Sequence, residues 1–342
     1  MVDKATLAER FKRFATAECM GSSELYYFLA LKISEDDELL DLCIEAKACQ
    51  PVPNLLLGGV HYLLLEGHTH PLQDFYPSLT PTPKDIKKSF VAFKSFCQIY
   101  RDEVRELLKT KLVQTNEVNR CAYLYPIFCY IFEQVKRPLS LIEIGTSSGL
   151  HLLWDEYSYS YGTHDLYGKS ESPVTLTSEL RGGQIPLILE NSPPVLSRTG
   201  LDLHINDLRK AEDALWLKAL IWPEHHERRK LFEKASDLFR RKNIELLEGD
   251  GIALLEQVVE KLPLDAPVCV FHTHVANQFS NDQKQTLLEK IRTIGSRRDV
   301  FHIYNNMWDR NLHLDSYING TESSQVVGES EGHGRWFEWR LS

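Results

Sequence analysis

The chain has 342 residues, 43% of them apolar and 25% charged, and its 39 basic and 48 acidic side chains give a formal charge of −9. That is a globular composition, long enough for about two domains without disulfide or metal staples, and it excludes fibrous and disordered classes. The acidic balance argues against sequence-blind binding to nucleic acid, no apolar run reaches the length of a transmembrane helix, and the charged N-terminus lacks the apolar stretch of a secretory signal. The seven cysteines form no C-x-x-C pair, so they read as buried thiols of a cytoplasmic chain.

Residues 1–137 read as an all-helical N-terminal domain. Ala5–Glu18 places Leu7, Phe11 and Phe14 at helical spacing, and Leu25–Ile33 and Glu38–Ala48 continue in that style. After a proline-rich break, Asn54–Glu66 reads as a buried helix closed by Gly67, and His70–Pro83 as a loop. Asp85–Thr110 reads as one long amphipathic helix and Gln114–Val135 as a further helical stretch. In the polar run before it, Thr115 or Asn116 suits a helix cap, while Asn116 and Arg120 are candidates for the wall of a ligand pocket.

The grammar changes at Pro138. Strand-like runs at Leu139–Gly145, Leu201–Ile205, Ile244–Glu248, Ala266–Thr273 and Val300–Asn305 alternate with helical stretches. These follow Gly145 to about Tyr161 and recur at Ala211–Ala219, Arg228–Lys242, Ile252–Lys261 and Asp282–Ile294. Strand-like Pro173–Ser178 lies in an insertion around 162–225. Two last strand candidates, Asp315–Asn319 and Trp336–Leu341, have no helix between them. The expectation for 138–342 is an α/β fold with a Rossmann-like, mostly parallel seven-stranded sheet ending in an antiparallel strand.

The sharpest motif is Leu141–Gly149, LIEIGTSSG, in which an acid precedes a glycine by two residues at the end of a strand. Together with the strand order it resembles the first motif of class I S-adenosylmethionine (SAM) dependent methyltransferases, with Ser147 where that motif has its middle glycine. The resemblance implies SAM as cofactor. Glu143 would accept from its amino group, Gly145 would let the backbone pass close, and Gly149 would let the next helix pack and offer free N–H groups to a carboxylate. For the ribose it implies an acid after the second strand, where Asp202 is preferred to Glu179. For the adenine it implies Asp250, in the turn Gly249-Asp250-Gly251, with Ile252 over the ring.

At the end of the fourth strand stand His272 and His274, two residues apart and so expected on one face. A histidine suits proton removal from an oxygen or nitrogen acceptor, and the catalytic set expected to handle the acceptor is His272 and His274 helped by Asn116 and Arg120. That one of them is a packed core residue is an equally open reading, and the pair with Asp250 as a divalent-metal site is a lesser alternative. The main reading requires no metal.

Several segments also resemble a family of uncharacterised bacterial proteins, a domain of unknown function: Gln114–Arg120, Leu141–Asp155, Arg198–Ala235 and Phe271–Val275. The likeness runs over nearly the whole chain, implies a bacterial cytoplasmic protein, and gives Arg198, Asp202, Trp216 and Trp222 weight beyond packing. The leading expectation is SAM-dependent methyl transfer to a small or medium acceptor, without nucleic acid or membrane as partner. The others are a non-catalytic SAM- or nucleotide-binding regulator and a metal-assisted hydrolase using His272 and His274.

Overall fold

The computed structural model describes residues 3–114, 116–163, 165–182 and 184–341. The chain forms two compact units, one from residues 1–115 and 209–233, the other from 116–208 and 234–342. The boundary expected at 138 thus falls inside the second unit, and part of the expected insertion belongs to the first.

The first unit is helical. Its early helices begin at side chains that accept from their own first turn: Asp3 before Lys4–Phe14, Ser23 before Glu24–Ile33 and Asp36 before Asp37–Cys43. Val52–Glu66 is apolar on almost every side, buried accordingly, and stopped by Gly67 at φ 115°. The expected long helix is two, Ser89–Ile99 and Arg101–Thr110, which break at Tyr100 (φ −103°, ψ 37°). The break lets the Tyr100 ring pack on Phe96 and His68 and its hydroxyl donate to Thr69 O.

The later segment joins this unit through specific contacts. His61, mid-helix and fully buried, donates from Nδ1 to Ala219 O (2.9 Å) and accepts from Ser78 Oγ at Nε2 (2.8 Å). Trp216, on the Ala211–Ala219 helix, donates its indole N–H to Leu112 O (2.8 Å). Trp222 packs against Phe14 and Tyr26. Trp216 is therefore a core residue here, and Trp222 a half-buried packing residue.

The second unit is mixed α/β, built on a large, mostly parallel seven-stranded sheet. Its strands are β1 (Leu139–Ile144), β2 (Val195–Asp202), β3 (Glu245–Glu248), β4 (Val268–His272), β5 (Val300–Tyr304), β6 (Asn311–Ile318) and β7 (Thr321–Glu329). The spatial order is β7-β6-β5-β4-β1-β2-β3. Strands β1 to β5 are parallel, while β6 runs antiparallel to both β5 and β7. On one face Ile142, Ile144, Leu201, Val268 and Val270 pack with Leu255, Val258, Leu287 and Ile291 from the Gly251–Glu260 and Asn281–Gly295 helices. Elsewhere in this unit Phe128, from the Cys121–Val135 helix, stacks on Trp154 at 4.3 Å and meets Phe271 edge-on.

Three expectations change. The antiparallel partner of β6 is Thr321–Glu329, whose exposed, polar first half hides a strand at the sheet edge. Trp336–Glu338 pairs instead in parallel with Glu179–Arg181 in a separate two-stranded sheet. After β1 the chain makes a 3-10 stretch, Leu150–Glu156, in which Leu153 departs from helical geometry, and then the short strand Ser158–Ser160. Among the described residues no helix is long and apolar enough to cross a membrane.

Candidate functional site

The strand order reverses between β1 and β4, the position at which open α/β sheets form a crevice at strand C-terminal ends. Most of the expected site residues lie in the loops there. In the loop after β1, Gly145, Ser147 and Gly149 all have positive φ, 75°, 53° and 79°. Only glycine takes that region freely, so Ser147 is held there by its surroundings. Its N–H donates to Asp202 Oδ2 (2.7 Å), and its carbonyl accepts from Asn206 N (3.1 Å).

Asp202 ends β2 and also accepts from His204 N (3.0 Å). Burial pushes its carboxyl up from the ordinary value, against the N–H groups that favour the charge. The preferred acid thus stands beside the loop and pins it. Glu179 does not: it is exposed on the small sheet and paired with Arg181.

The glycines serve packing inside the chain. A Cβ on Gly145 would lie 2.7 Å from Val275, and one on Gly149 would lie 3.2 Å from Leu246 and 3.3 Å from Phe239. Glu143 is buried and doubly engaged. Thr146 Oγ1 donates to one of its oxygens (2.6 Å), and His151 Nδ1 lies 2.7 Å from the other. His151 Nε2 lies 2.9 Å from Glu117 O and must donate to it, so a proton sits between His151 and Glu143. His151 was missed in the sequence. Its signal was present, a second polar residue within LHLLWD on an otherwise apolar segment, but the partner lay eight positions back.

Asp250 caps the Gly251–Glu260 helix by accepting from Ile252 N (2.9 Å) and Ala253 N (3.2 Å). Ile252 belongs to the hydrophobic core. Both also border an open pocket of about 420 Å³ with Asp282, Gln283 and Lys290. The motif residue Arg198 donates to Leu152 O and pairs with Asp155, whose carboxyl burial pushes up despite that cation.

The two histidines part company. His272 closes β4 and is wholly buried, its Nε2 3.0 Å from His302 Nε2 on β5. Burial, with His302 beside it, drives its pKa well below the ordinary value, so it is a neutral core residue. His274 lies past the strand end at φ 58°, which breaks the expected alternation. Its N–H donates to Asn305 Oδ1 (2.9 Å), and its Nδ1 lies 3.1 Å from Asn306 Nδ2. Burial first, then Arg120, His151 and His333, bring its pKa down to about 3 against the pull of Glu331. Among the described residues no group of three or more His, Cys, Asp or Glu side chains is placed to hold a metal ion.

Asn116 and Arg120 lie in this same unit, ahead of the Cys121–Val135 helix. Asn116 Nδ2 donates to Thr146 O (3.1 Å), tying it to the β1 loop, while its Oδ1 is buried without a partner. The expected alternative cap, Thr115, lies outside the described residues. Arg120 is 7% exposed and donates from Nε to Gly332 O (2.9 Å). Asn305, Asn306 and Tyr123 join this neighbourhood without a sequence motif to announce them.

No curated protein matches the chain closely enough to count as a relative. One family profile, described as an uncharacterised protein conserved in bacteria (DUF2332), matches residues 8–339. The match spans almost the whole chain, and the protein belongs to the DUF2332 family.

Proposed function

We propose that the second unit is a Rossmann-like, SAM-dependent methyltransferase acting on a small molecule. One observation carries this reading. The loop after β1 has three positive-φ residues in five, is tied by Ser147 to the acid ending β2, and opens where the strand order reverses beside β4. Bound SAM would supply an electrophilic methyl group to a nucleophilic acceptor.

The chain's part is to bind and orient. Ser147 Oγ, Ser148 Oγ and Asn116 Oδ1 are buried around this loop and have no partner among the described residues. They suit the polar ends of an amino acid: hydroxyl donors for a carboxylate and an amide oxygen for an ammonium. Asp202, which ends β2 and accepts from Ser147 N and His204 N, stands where an acid would meet a ribose hydroxyl. Glu143 is already held by Thr146 and His151, so a bond to the amino group would use a remaining lone pair.

A second reading is favoured by that same Glu143 and by Val275, which fills the space beside Gly145: a protein that binds its ligand without turnover. Calorimetric titration with SAM and with S-adenosylhomocysteine separates the cases. Micromolar binding of both, weakened in Asp202→Asn, supports the cofactor site and leaves turnover to an acceptor screen. Absence of heat and of thermal shift with either, from folded protein, removes the SAM reading.

A further inference from the structure

A second group of buried polar side chains lies at the same end of the sheet but comes from other elements. We propose that Arg120, Tyr123, Thr273, His274 and Asn305 form a recognition site for an oxyanion, the carboxylate or phosphate group of a small-molecule ligand. Arg120 ends the turn entering the Cys121–Val135 helix and Tyr123 stands in that helix's first turn. Thr273 and His274 follow β4, and Asn305 follows β5.

Contacts make these one neighbourhood. His274 N–H bonds to Asn305 Oδ1. Gly332, which receives the Arg120 Nε hydrogen, is also the glycine whose Cβ would lie 3.5 Å from His274 Cε1. Burial raises the Tyr123 hydroxyl to about 12, and Arg120, Asn305 and Thr273 beside it pull the other way without reaching hydrogen-bond geometry.

The hydrogen-bond inventory then fixes the ligand's chemistry. Asn305 uses its oxygen on His274, so the orphan is its NH2. Asn306 donates to His274 Nδ1, so the neutral ring carries its hydrogen on Nε2, which is buried without a partner. The Tyr123 and Thr273 hydroxyls are likewise unpartnered. Among the described residues no carboxylate pairs with the Arg120 guanidinium, although the side chain is nine-tenths buried.

The local acids are engaged elsewhere. Glu331 takes His333 N, Arg335 N and the Arg335 guanidinium, and Glu117 lies against His333. A buried guanidinium without an anion is strongly unfavourable. Water would satisfy the hydroxyls and the amide but not the charge. Several donors converging with one fixed cation and no counter-ion match an oxyanion, with the planar fork of arginine set for two of its oxygens. The inference does not depend on SAM, since it concerns the charged end of whatever ligand sits there.

The test uses the full chain, titrated with inorganic phosphate and separately with acetate at constant ionic strength, read by calorimetry and thermal shift. At least one should bind saturably at millimolar concentration and raise Tm. Preference for phosphate assigns a phosphorylated ligand, and preference for acetate a carboxylic acid. Arg120→Gln should raise Kd by at least about tenfold. Thr273→Val and Tyr123→Phe remove hydroxyls that bond nothing in the protein, so they should keep the wild-type Tm while weakening binding, and they stand in if Arg120→Gln does not fold. The proposal fails if neither anion binds folded wild type, or if all three variants bind as wild type does.

Discussion

His61 and His272 are completely buried, one in each unit. Burial brings His61 down to about 3 and His272 well below its ordinary value. In the unfolded chain both take up protons as pH falls through about 6.5. In the folded chain they stay neutral, so the unfolded state binds more protons and stability falls with pH from about 6.5 towards 3. Each fully buried histidine contributes a slope of up to about 1.4 kcal/mol per pH unit. Urea unfolding between pH 7.5 and 5 should show this loss before carboxylates begin to protonate. In His61→Gln the slope should drop by one proton, and an unchanged slope would mean that His61 is charged in the native protein. The histidines also mark how far single residues were legible. The i, i+2 spacing at 272 and 274 promised a converging pair, but spacing carries no backbone angle, and φ 58° at His274 undoes it.

Among elements, the β1 loop was legible in position and composition but not in its partners. Acid, glycines and small residues announced a tight turn. That Glu143 would be met by His151, and Gly145 by Val275, depends on chain segments that only folding brings near. Gly145→Ala should therefore destabilise the protein by roughly 2–4 kcal/mol, from left-handed strain at φ 75° and overpacking against Val275. Adding Val275→Ala should restore the steric part alone, as judged by chemical denaturation. Full recovery would show that the backbone angle costs nothing. The parallel strands were readable because apolar runs alternate with helical periods. The edge strand β7 was not, because its first half faces solvent and shows no apolar alternation. The break at Tyr100 was hidden for the opposite reason: the apolar spacing of Asp85–Thr110 passes through it without a proline or glycine to mark it.

At the scale of the molecule, the helical unit is discontinuous in sequence. Residues 1–115 lack the Ala219 carbonyl that His61 needs, the Trp216 side chain that bonds Leu112, and the Trp222 ring beside Phe14 and Tyr26. Expressed alone, that fragment should show helical far-UV circular dichroism but weak near-UV signal and no cooperative melt. Residues 1–115 joined by a flexible linker to 209–233 should recover both, and a cooperative melt from 1–115 alone would make the later segment dispensable. Discontinuity also sets an order in time. A ribosome making about 5–20 residues per second reaches residue 233 some 6–24 s after residue 115. Through that interval the Val52–Glu66 helix, apolar on nearly every side, waits without its last cover. The emerging chain is then a client for chaperones that bind exposed apolar surface, and a pause in translation between the two segments should lower the yield of soluble protein more than a pause after residue 233.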